Sequence, residues 1–454
     1  MTVREAFRRI APHREDARKV IHLAYPVILG MTSFTLLSLV DTAMLGRLGA
    51  APLAASGIAG VLFFAVVFTL AGIGIGVQTL TARRFGERSE VECGRVVDSG
   101  LFLALALGLP ITVAAPWIAR LCAPILSQDI QVVVLGEVYL QYRFYGATFM
   151  LANWVLQGFF AGIGETRHQM VASILATGTN LVLDYTLIFG RWGLPAMGVR
   201  GAALASTIAI GVGLAYLAVV AVTPAHRTRF AILRPPISFA HWLRPILRLS
   251  LPVMGQRAIS NGSWFAFFSV VARIGTIELA ATNIIRSAYH VTIMLGVGMG
   301  TAAAALVGQG LGAEAPDRAE RLGWEATKLA ATAMGCIGIL FAAFPGLILR
   351  IYTNDPAVIA AGRWPLLILG FVQAFAGIGI VLSHALQGAG NTRFVMFAEL
   401  GVCATLYLPI VYVLGLRTPL GLIGAWTGEY LYWGALAATM SWKFARGGWK
   451  RIVV

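Results

Sequence analysis

The chain of 454 residues is 58% hydrophobic and only 12% charged, with a mean hydropathy of +0.78. This apolar excess excludes an ordinary soluble globular protein, in which the apolar fraction is closer to about half. The net charge of +15 would suit a nucleic-acid-binding protein, but the basic residues lie in alternate loops between apolar stretches. That placement is typical of a membrane protein with positive cytoplasmic loops, so we expect no binding of nucleic acid.

Apolar stretches long enough to cross a bilayer recur six times in each half of the chain. They predict an all-α polytopic protein with twelve transmembrane helices in the cytoplasmic (inner) membrane. Basic residues near both ends of the chain place both termini in the cytoplasm, which agrees with an even number of spans. The stretches are 21–45, 53–82, 96–117, 132–160, 169–189 and 199–222, followed by six more from 249–271 to 420–442.

The second half of the chain repeats the first at an offset of 226 residues. Pro26 corresponds to Pro252, and the loop GIGETR at 162–167 corresponds to GAGNTR at 388–393. Because six spans restore the orientation of the chain, the two copies are parallel repeats and form two six-helix bundles. We expect an N-terminal lobe at 1–222, a cytoplasmic linker at 223–247 and a C-terminal lobe at 248–454.

Two aspartates lie inside apolar stretches of the first half, where a charged side chain is costly and therefore a candidate for function. Asp41 in the first span and Asp184 in the fifth lie at similar depths, and they correspond to Phe267 and Ile410 in the second half. The alternative is structural: Asp41 caps the outer end of the first helix in water, and Asn180 and Asp184 only join helices.

Two further polar residues lie near the level of these aspartates. Asn180 precedes Asp184 by one helical turn, so both side chains share a helix face. Ser206 in the returning sixth span reaches a similar depth. Such a cluster can hold a proton between two carboxylates, or Asp41, Asn180 and Asp184 can bind sodium through oxygen atoms. The residues leave both choices open.

Pro26 lies early in the span that carries Asp41. It predicts either a hinge in that helix or merely the helix's first turn.

Polar and flexible side chains in several spans suggest a substrate cavity. Glu399 and Glu429 are further carboxylates in the second half, and we expect them to be structural. The candidate cavity residues are Met31, Asn153, Gln157, Gln256, Asn261, Asn283 and His290.

The sequence contains no Walker loop, catalytic triad or zinc-binding helix pattern, so we do not expect an enzyme. We also expect no cofactor and no structural metal. Transport by such a protein would be passive or driven by an ion gradient, with a proton or sodium as the coupling ion.

Five short motifs, taken together, resemble those of a known family. They are LSLVDTAMLGRLG at 37–49, GIGETR at 162–167, NLVLD at 180–184, GVRGAALAS at 198–206 and GAGNTR at 388–393. They are similar to the motifs of multidrug and toxic compound extrusion (MATE) transporters, most closely the DinF-like branch. The resemblance implies a V-shaped pair of six-helix lobes that alternate between outward-open and inward-open states.

The resemblance also implies a function. Members export amphipathic, often cationic, drug-like compounds in exchange for protons or sodium, and we expect a monomer in the lipid bilayer. The coupling residues of DinF-like members correspond to Asp41, Asn180, Asp184 and Ser206, the last replacing the usual threonine. The alternative function is a lipid-linked oligosaccharide flippase of the same broad superfamily, which would need a basic cavity.

Overall fold

The computed structural model describes residues 14–234 and 240–454, and within these ranges it contains eighteen α-helices, one π-helical turn, one 3-10 turn and no β-strand. The all-α fold class is therefore confirmed. The helices of the first repeat are α1 (Arg14–Gly46), α2 (Ala50–Leu70), α3 (Gly72–Gly86), α4 (Glu90–Val113), α5 (Ala115–Leu126), α6 (Ile130–Tyr145), α7 (Ala147–Ile163), α8 (Arg167–Phe189), α9 (Val199–Ala221) and α10 (Pro224–Phe230).

The second repeat contains the remaining helices. They are α11 (Ala240–Ile274), α12 (Thr276–Gly312), α13 (Pro316–Ala343), α14 (Pro345–Tyr352), α15 (Pro356–Gly388), α16 (Thr392–Val402), α17 (Leu408–Leu416) and α18 (Gly421–Ala445), with the π-helical turn at Cys403–Tyr407 and the 3-10 turn at Gly448–Arg451.

The duplication read from the sequence is visible in the helix boundaries. Three helices of the first repeat, α2, α4 and α6, begin 226 residues before their counterparts α12, α13 and α15. The repeats differ inside the helices. The chain is interrupted at Ala71 and bends by 45° between α6 and α7, at Gly146, whereas α12 and α15 run without a break through the corresponding positions.

Most predicted spans coincide with long apolar helices. Among the described residues nine helices are long and apolar enough to cross a membrane, or ten when the bent pair α6–α7 is counted as one span. The other two predicted spans, the seventh and the twelfth, fall on α11 and α18, which are 35 and 25 residues long. This arrangement agrees with the predicted multi-pass membrane protein.

The chain forms two compact units that divide inside helices. The N unit is Leu29–Met254, and the C unit is Gly255–Val454 together with the described residues up to Ile28. Each boundary falls two residues after a repeat-related proline, Pro26 or Pro252. The predicted lobes at 1–222 and 248–454 follow the sequence repeat. In the structure, by contrast, the beginning of α1 belongs to the C unit and the beginning of α11 belongs to the N unit, and we call these two segments the exchanged helix ends. Residues 1–13 of the predicted N-terminal lobe and 235–239 of the predicted linker lie outside the described residues.

Glycines allow the exchanged helix ends to pack closely in both units. A Cβ atom on Gly72 would lie 2.8 Å from Met254 Cγ, and one on Gly298 would lie 2.4 Å from Ile28 Cγ1. Real Cβ atoms do not approach other atoms so closely, so a larger residue at either position would force the neighbouring helix end to shift. Pro26 is buried well inside α1, and the interpretation of this proline as a first-turn residue is therefore wrong.

Candidate functional site

Asp41 on α1 and Asp184 on α8 are neighbours in the N unit, and their carboxyl groups interact directly. Two ionised carboxylates are both acceptors and repel each other, so such a pair favours a shared proton or a bound cation. The two aspartates are therefore a candidate site for a positive charge.

The polar atoms of this site have almost no protein partners. Asn180 and Asp184 are both 0% exposed. Within residues 14–234 and 240–454, no N–H or O–H group donates to Oδ1 of Asp41 or to either carboxylate oxygen of Asp184. The two amide atoms of Asn180 also have no hydrogen-bond partner there. A buried polar atom left unpaired costs about 1–3 kcal/mol. The arrangement is suited to taking up a proton, a water molecule or a small cation.

An apolar layer lies one helical turn beyond the two aspartates. Leu45 follows Asp41 by four residues, Ile188 follows Asp184 by four, and both are buried against Val199 and Ala202 of α9. The partly buried Met44, Leu135, Tyr139 and Phe189 pack around this layer. This layer lies between the level of the aspartates and the ends of α1 and α8, while Asp41 itself remains half-buried.

Arg143 is a further residue of the site that the sequence analysis missed. Its guanidinium group attracts both carboxylates electrostatically and lies 4.4 Å from the ring centroid of Phe63. Arg143 is near the end of α6, just before the bend at Gly146. The signal was present in the sequence, since Arg143 is a charged residue inside the predicted span 132–160.

Ser206 is buried on α9, which packs along α8 in the N unit. Within the described ranges it makes no hydrogen bond to Asp41, Asn180 or Asp184. The structure thus brings the two aspartates together, with Asn180 one turn away on α8, and places Ser206 on the adjacent helix. Carboxylate and amide oxygens also suit sodium, so this set of donors is compatible with either coupling ion.

The predicted cavity residues are divided between the two units. Met31, Asn153 and Gln157 belong to the N unit, where Gln157 Nε2 donates a hydrogen bond to Asn153 Oδ1 at 2.5 Å. The other four, Gln256, Asn261, Asn283 and His290, belong to the C unit.

Three of these four C-unit residues have distinct environments. Gln256 Nε2 donates to Glu399 Oε2 at 2.5 Å and its Oε1 accepts from Gln387 Nε2 at 2.6 Å. Asn283 is exposed and its amide donates to the Leu279 carbonyl oxygen, whereas Asn261 Nδ2 is buried with no partner among the described residues. A role for any of them in binding substrate stays a prediction.

Comparison with known proteins then identifies relatives over almost the whole chain. The MatE family model matches residues 26–186 and again residues 252–413, so its two matches begin at the repeat-related prolines and together cover well over half of the chain. The two matches therefore agree with the duplication found in the sequence.

Two relatives of known sequence are similar over their full length. A probable multidrug resistance protein NorM of Thermotoga maritima is 28% identical over 418 residues, which cover 91% of this chain and 89% of that protein. Another of the same description, from Synechocystis sp., is 28% identical over 443 residues and covers 95% of both chains.

Solved structures support the fold. A MOP superfamily transporter from Pyrococcus furiosus superposes with a TM-score of 0.89 at 23% identity and covers 96% of this chain and 97% of its own. An outward-facing multidrug resistance MATE family transporter superposes with a TM-score of 0.86 at 24% identity, with 95% of each chain covered. At these identities the likeness shows the fold.

Proposed function

Because this chain belongs to the MatE family, a family of membrane transporters, we propose that it is a secondary active antiporter of the DinF-like branch that exports amphipathic, cationic drug-like compounds in exchange for protons. It acts as a monomer in the inner membrane, with both termini in the cytoplasm. The relatives from Thermotoga maritima and Synechocystis sp. are described as multidrug resistance proteins, which supports this class of substrate.

The observation that carries the proposal is the pair of aspartates without protein donors. The carboxyl groups of Asp41 and Asp184 interact directly, and Asp184 has no other partner among the described residues. A permanent structural pair of this kind would lower the stability of the folded protein. In a pair that binds and releases a proton on each cycle, the unpaired oxygens are the atoms that bind the proton.

The mechanism follows from what each group can do. When the pair holds one proton, the two carboxyl groups share it, and α1 and α8 are held together at this level. When the pair loses that proton, two negative charges repel each other, and Arg143 is the group that attracts both. Binding and release of the proton therefore change the forces between α1, α6 and α8. Pro26 interrupts the hydrogen-bond ladder of α1 and gives that helix a point at which to bend.

Sodium is the alternative coupling ion in the same site. It would be held by oxygen atoms of Asp41, Asn180 and Asp184, which are hard ligands. In that case the ion, and not a proton, would neutralise the two carboxylates, and the proposed movement of α1 would follow sodium release.

The proposal is tested by transport of a fluorescent cationic dye in proteoliposomes, with an imposed proton gradient or an imposed sodium gradient. We expect transport under the proton gradient alone, and loss of that transport in Asp41→Asn. Transport driven only by sodium would replace the proton in the mechanism. Transport that persists in Asp41→Asn would show that the pair is not the coupling site.

A lipid-linked oligosaccharide flippase is the second candidate function. The transporter from Pyrococcus furiosus, which has the same fold, is described as having a binding pocket of reverse polarity that suggests a different function. A flippase would bind an anionic headgroup. Dye transport under neither gradient, together with binding of a lipid-linked precursor by the purified protein, would favour this function.

A further inference from the structure

A second group of titratable side chains lies in the N unit, outside the aspartate site. Glu165 is in the loop between α7 and α8, His168 is in the first turn of α8, and His226 is on the short helix α10. His168 and Asp184 are on the same helix, sixteen residues and therefore about 24 Å apart. The proposed transport mechanism does not use these three residues.

The three side chains converge on one point. His226 Nε2 lies 2.8 Å from Glu165 Oε2, and His168 Nε2 lies 3.5 Å from the same oxygen. One ligand atom from each residue lies within 4.8 Å of the other two. Ligand atoms on a tetrahedral zinc ion are about 3.3 Å apart when each bond is about 2.0–2.1 Å. The two distances from the histidines to Glu165 lie on either side of this value, and the two histidine nitrogens lie within 4.8 Å of each other.

The hydrogen bonds around His226 favour one tautomer of its ring. The Thr223 hydroxyl is placed to donate to the Val220 carbonyl oxygen at 2.7 Å. Its oxygen can then accept from His226 Nδ1, which lies 3.1 Å away. In that tautomer Nε2 presents its lone pair on the side of the Glu165 carboxylate, which is where a shared metal ion would bind.

The surroundings of the cluster resemble the outer shell of a metal site. His168 Nδ1 lies 3.0 Å from the Tyr216 hydroxyl, so each histidine has its distal nitrogen held by a hydroxyl group. Such outer contacts orient the ligating nitrogen toward a metal. The Phe160 ring packs against both histidines, with centroids 5.1 and 5.8 Å away. The three ligand side chains remain partly exposed, which leaves room for water as a fourth ligand.

We propose that Glu165, His168 and His226 form a site for a divalent transition metal of the zinc class, which fastens α10 to the loop between α7 and α8. The set of two histidines and one carboxylate is a known zinc set. The sequence did not reveal it, because Glu165 and His168 lie three residues apart but the third ligand, His226, is distant along the chain. The corresponding residues of the second repeat, Asn391, Phe394 and Ile452, cannot form the same set. The site is therefore specific to the first repeat.

The test uses the full chain, purified in detergent without a polyhistidine tag, and measures binding of Zn²⁺ by calorimetry and of Co²⁺ by its visible absorption. We expect one metal ion per chain, a tetrahedral Co²⁺ spectrum and a rise in melting temperature with Zn²⁺. His226→Ala should abolish all three. Tyr216→Phe keeps every ligand and should weaken binding by about 10–100-fold, the usual effect of losing an outer contact.

His241→Ala is the matched control, because His241 is an exposed histidine of the same unit outside the cluster, and it should bind Zn²⁺ like the wild type. Melting temperatures without metal separate a folding defect in His226→Ala from loss of a ligand. Two results would overturn the proposal: Zn²⁺ binding that is equally strong in His226→Ala, or no binding in the wild type.

Discussion

The two repeats begin several helices at equivalent positions, but charged residues of the first repeat correspond to apolar residues of the second. Asp41, Arg143 and Asp184 of the first repeat correspond to Phe267, Leu369 and Ile410 of the second. Phe267 is fully buried, and its ring packs against Trp426 and Tyr407 at centroid distances of 5.3 and 6.3 Å. At the level where the N unit has a charged site, the C unit has an aromatic core. The duplicated fold needs no charge at this level.

The C unit also contains buried carboxylates, but these have hydrogen-bond partners. Glu399 accepts from Gln256 at 2.5 Å and from Ser260, and Glu429 accepts from Trp433 Nε1 at 2.8 Å. The carboxylates of the N unit have buried oxygens with no donor among the described residues. A satisfied carboxylate contributes to packing, whereas an unsatisfied one is free to exchange a proton or an ion. This difference distinguishes the structural carboxylates of the C unit from the candidate coupling carboxylates of the N unit.

The largest expected effect is that of Asp184→Asn, which removes one negative charge and leaves the shape of the side chain. We expect transport of a cationic dye to fall by at least about 100-fold, since the pair can no longer alternate between charge states. The folded protein should be unaffected or slightly more stable, because no protein donor loses its acceptor. Dye transport in proteoliposomes and thermal melting in detergent measure the two effects.

Glu399→Gln is the matched variant in the C unit and should give the reverse result. Replacing one acceptor oxygen by an NH₂ group disrupts the bonds from Gln256 and Ser260, so we expect a loss of stability of about 1–3 kcal/mol. Dye transport per folded molecule should remain near the wild-type rate. Loss of transport without loss of stability would place a coupling carboxylate in the C unit and would break the comparison.

The second prediction concerns Arg143, the charged residue that the sequence analysis missed. Arg143→Leu introduces the residue found at the equivalent position 369, and it removes the positive charge that attracts both aspartates. We expect dye transport to fall by about tenfold, roughly the effect of a 1.4 kcal/mol change in a charge interaction. Arg143→Lys keeps the charge and should retain most of the rate. Equal losses in both variants would indicate that the contact with Phe63 matters more than the charge.

Much of the fold could be predicted because its signals are local or periodic. The apolar stretches gave the spans, and the fixed offset between Pro26 and Pro252 gave the duplication. The exchange of helix ends between the two units could not be predicted. It depends on close packing at Gly72 and Gly298, and a glycine in an apolar stretch does not reveal which helix will approach it.

The site was predictable to a similar extent. Asp41 and Asp184 stand out because charges are rare in apolar spans, and helical spacing places Asn180 beside Asp184. The same rule applied to the span 132–160 would have identified Arg143. The cluster of Glu165, His168 and His226 could not be found in this way, since its members lie in a loop and on two helices and meet only in the folded chain.

The third prediction compares the two repeat-related prolines. Pro26 lies in the helix that carries Asp41, whereas Pro252 lies in the helix that carries Phe267. If bending of α1 couples proton release to transport, Pro26→Ala should slow dye transport severalfold, and Pro252→Ala should change it much less. Both substitutions restore a helical donor, so both should leave the melting temperature unchanged or raise it. Equal rates in the two variants would contradict a hinge specific to α1.

The smallest expected effect concerns an ion-pair contact that both repeats share. In each repeat it connects the segment after the last span of the repeat to the beginning of the third helical span. In the N unit Arg229 bonds to Glu90 at 2.7 Å, and in the C unit Lys450 bonds to Asp317 at 2.8 Å and to Glu320 at 2.6 Å.

The two carboxylates bonded to Lys450 raise the pKa of this lysine above its ordinary value. A raised pKa means that the stabilisation is fully present at neutral pH and is lost as the pH rises through the pKa of the folded state. We therefore expect Lys450→Met to lower the melting temperature by less than about 4 °C at pH 7.5, and this difference should shrink as the pH rises through the raised pKa of Lys450. A difference that persists at high pH would show that the lysine acts through its aliphatic stem and not through its charge.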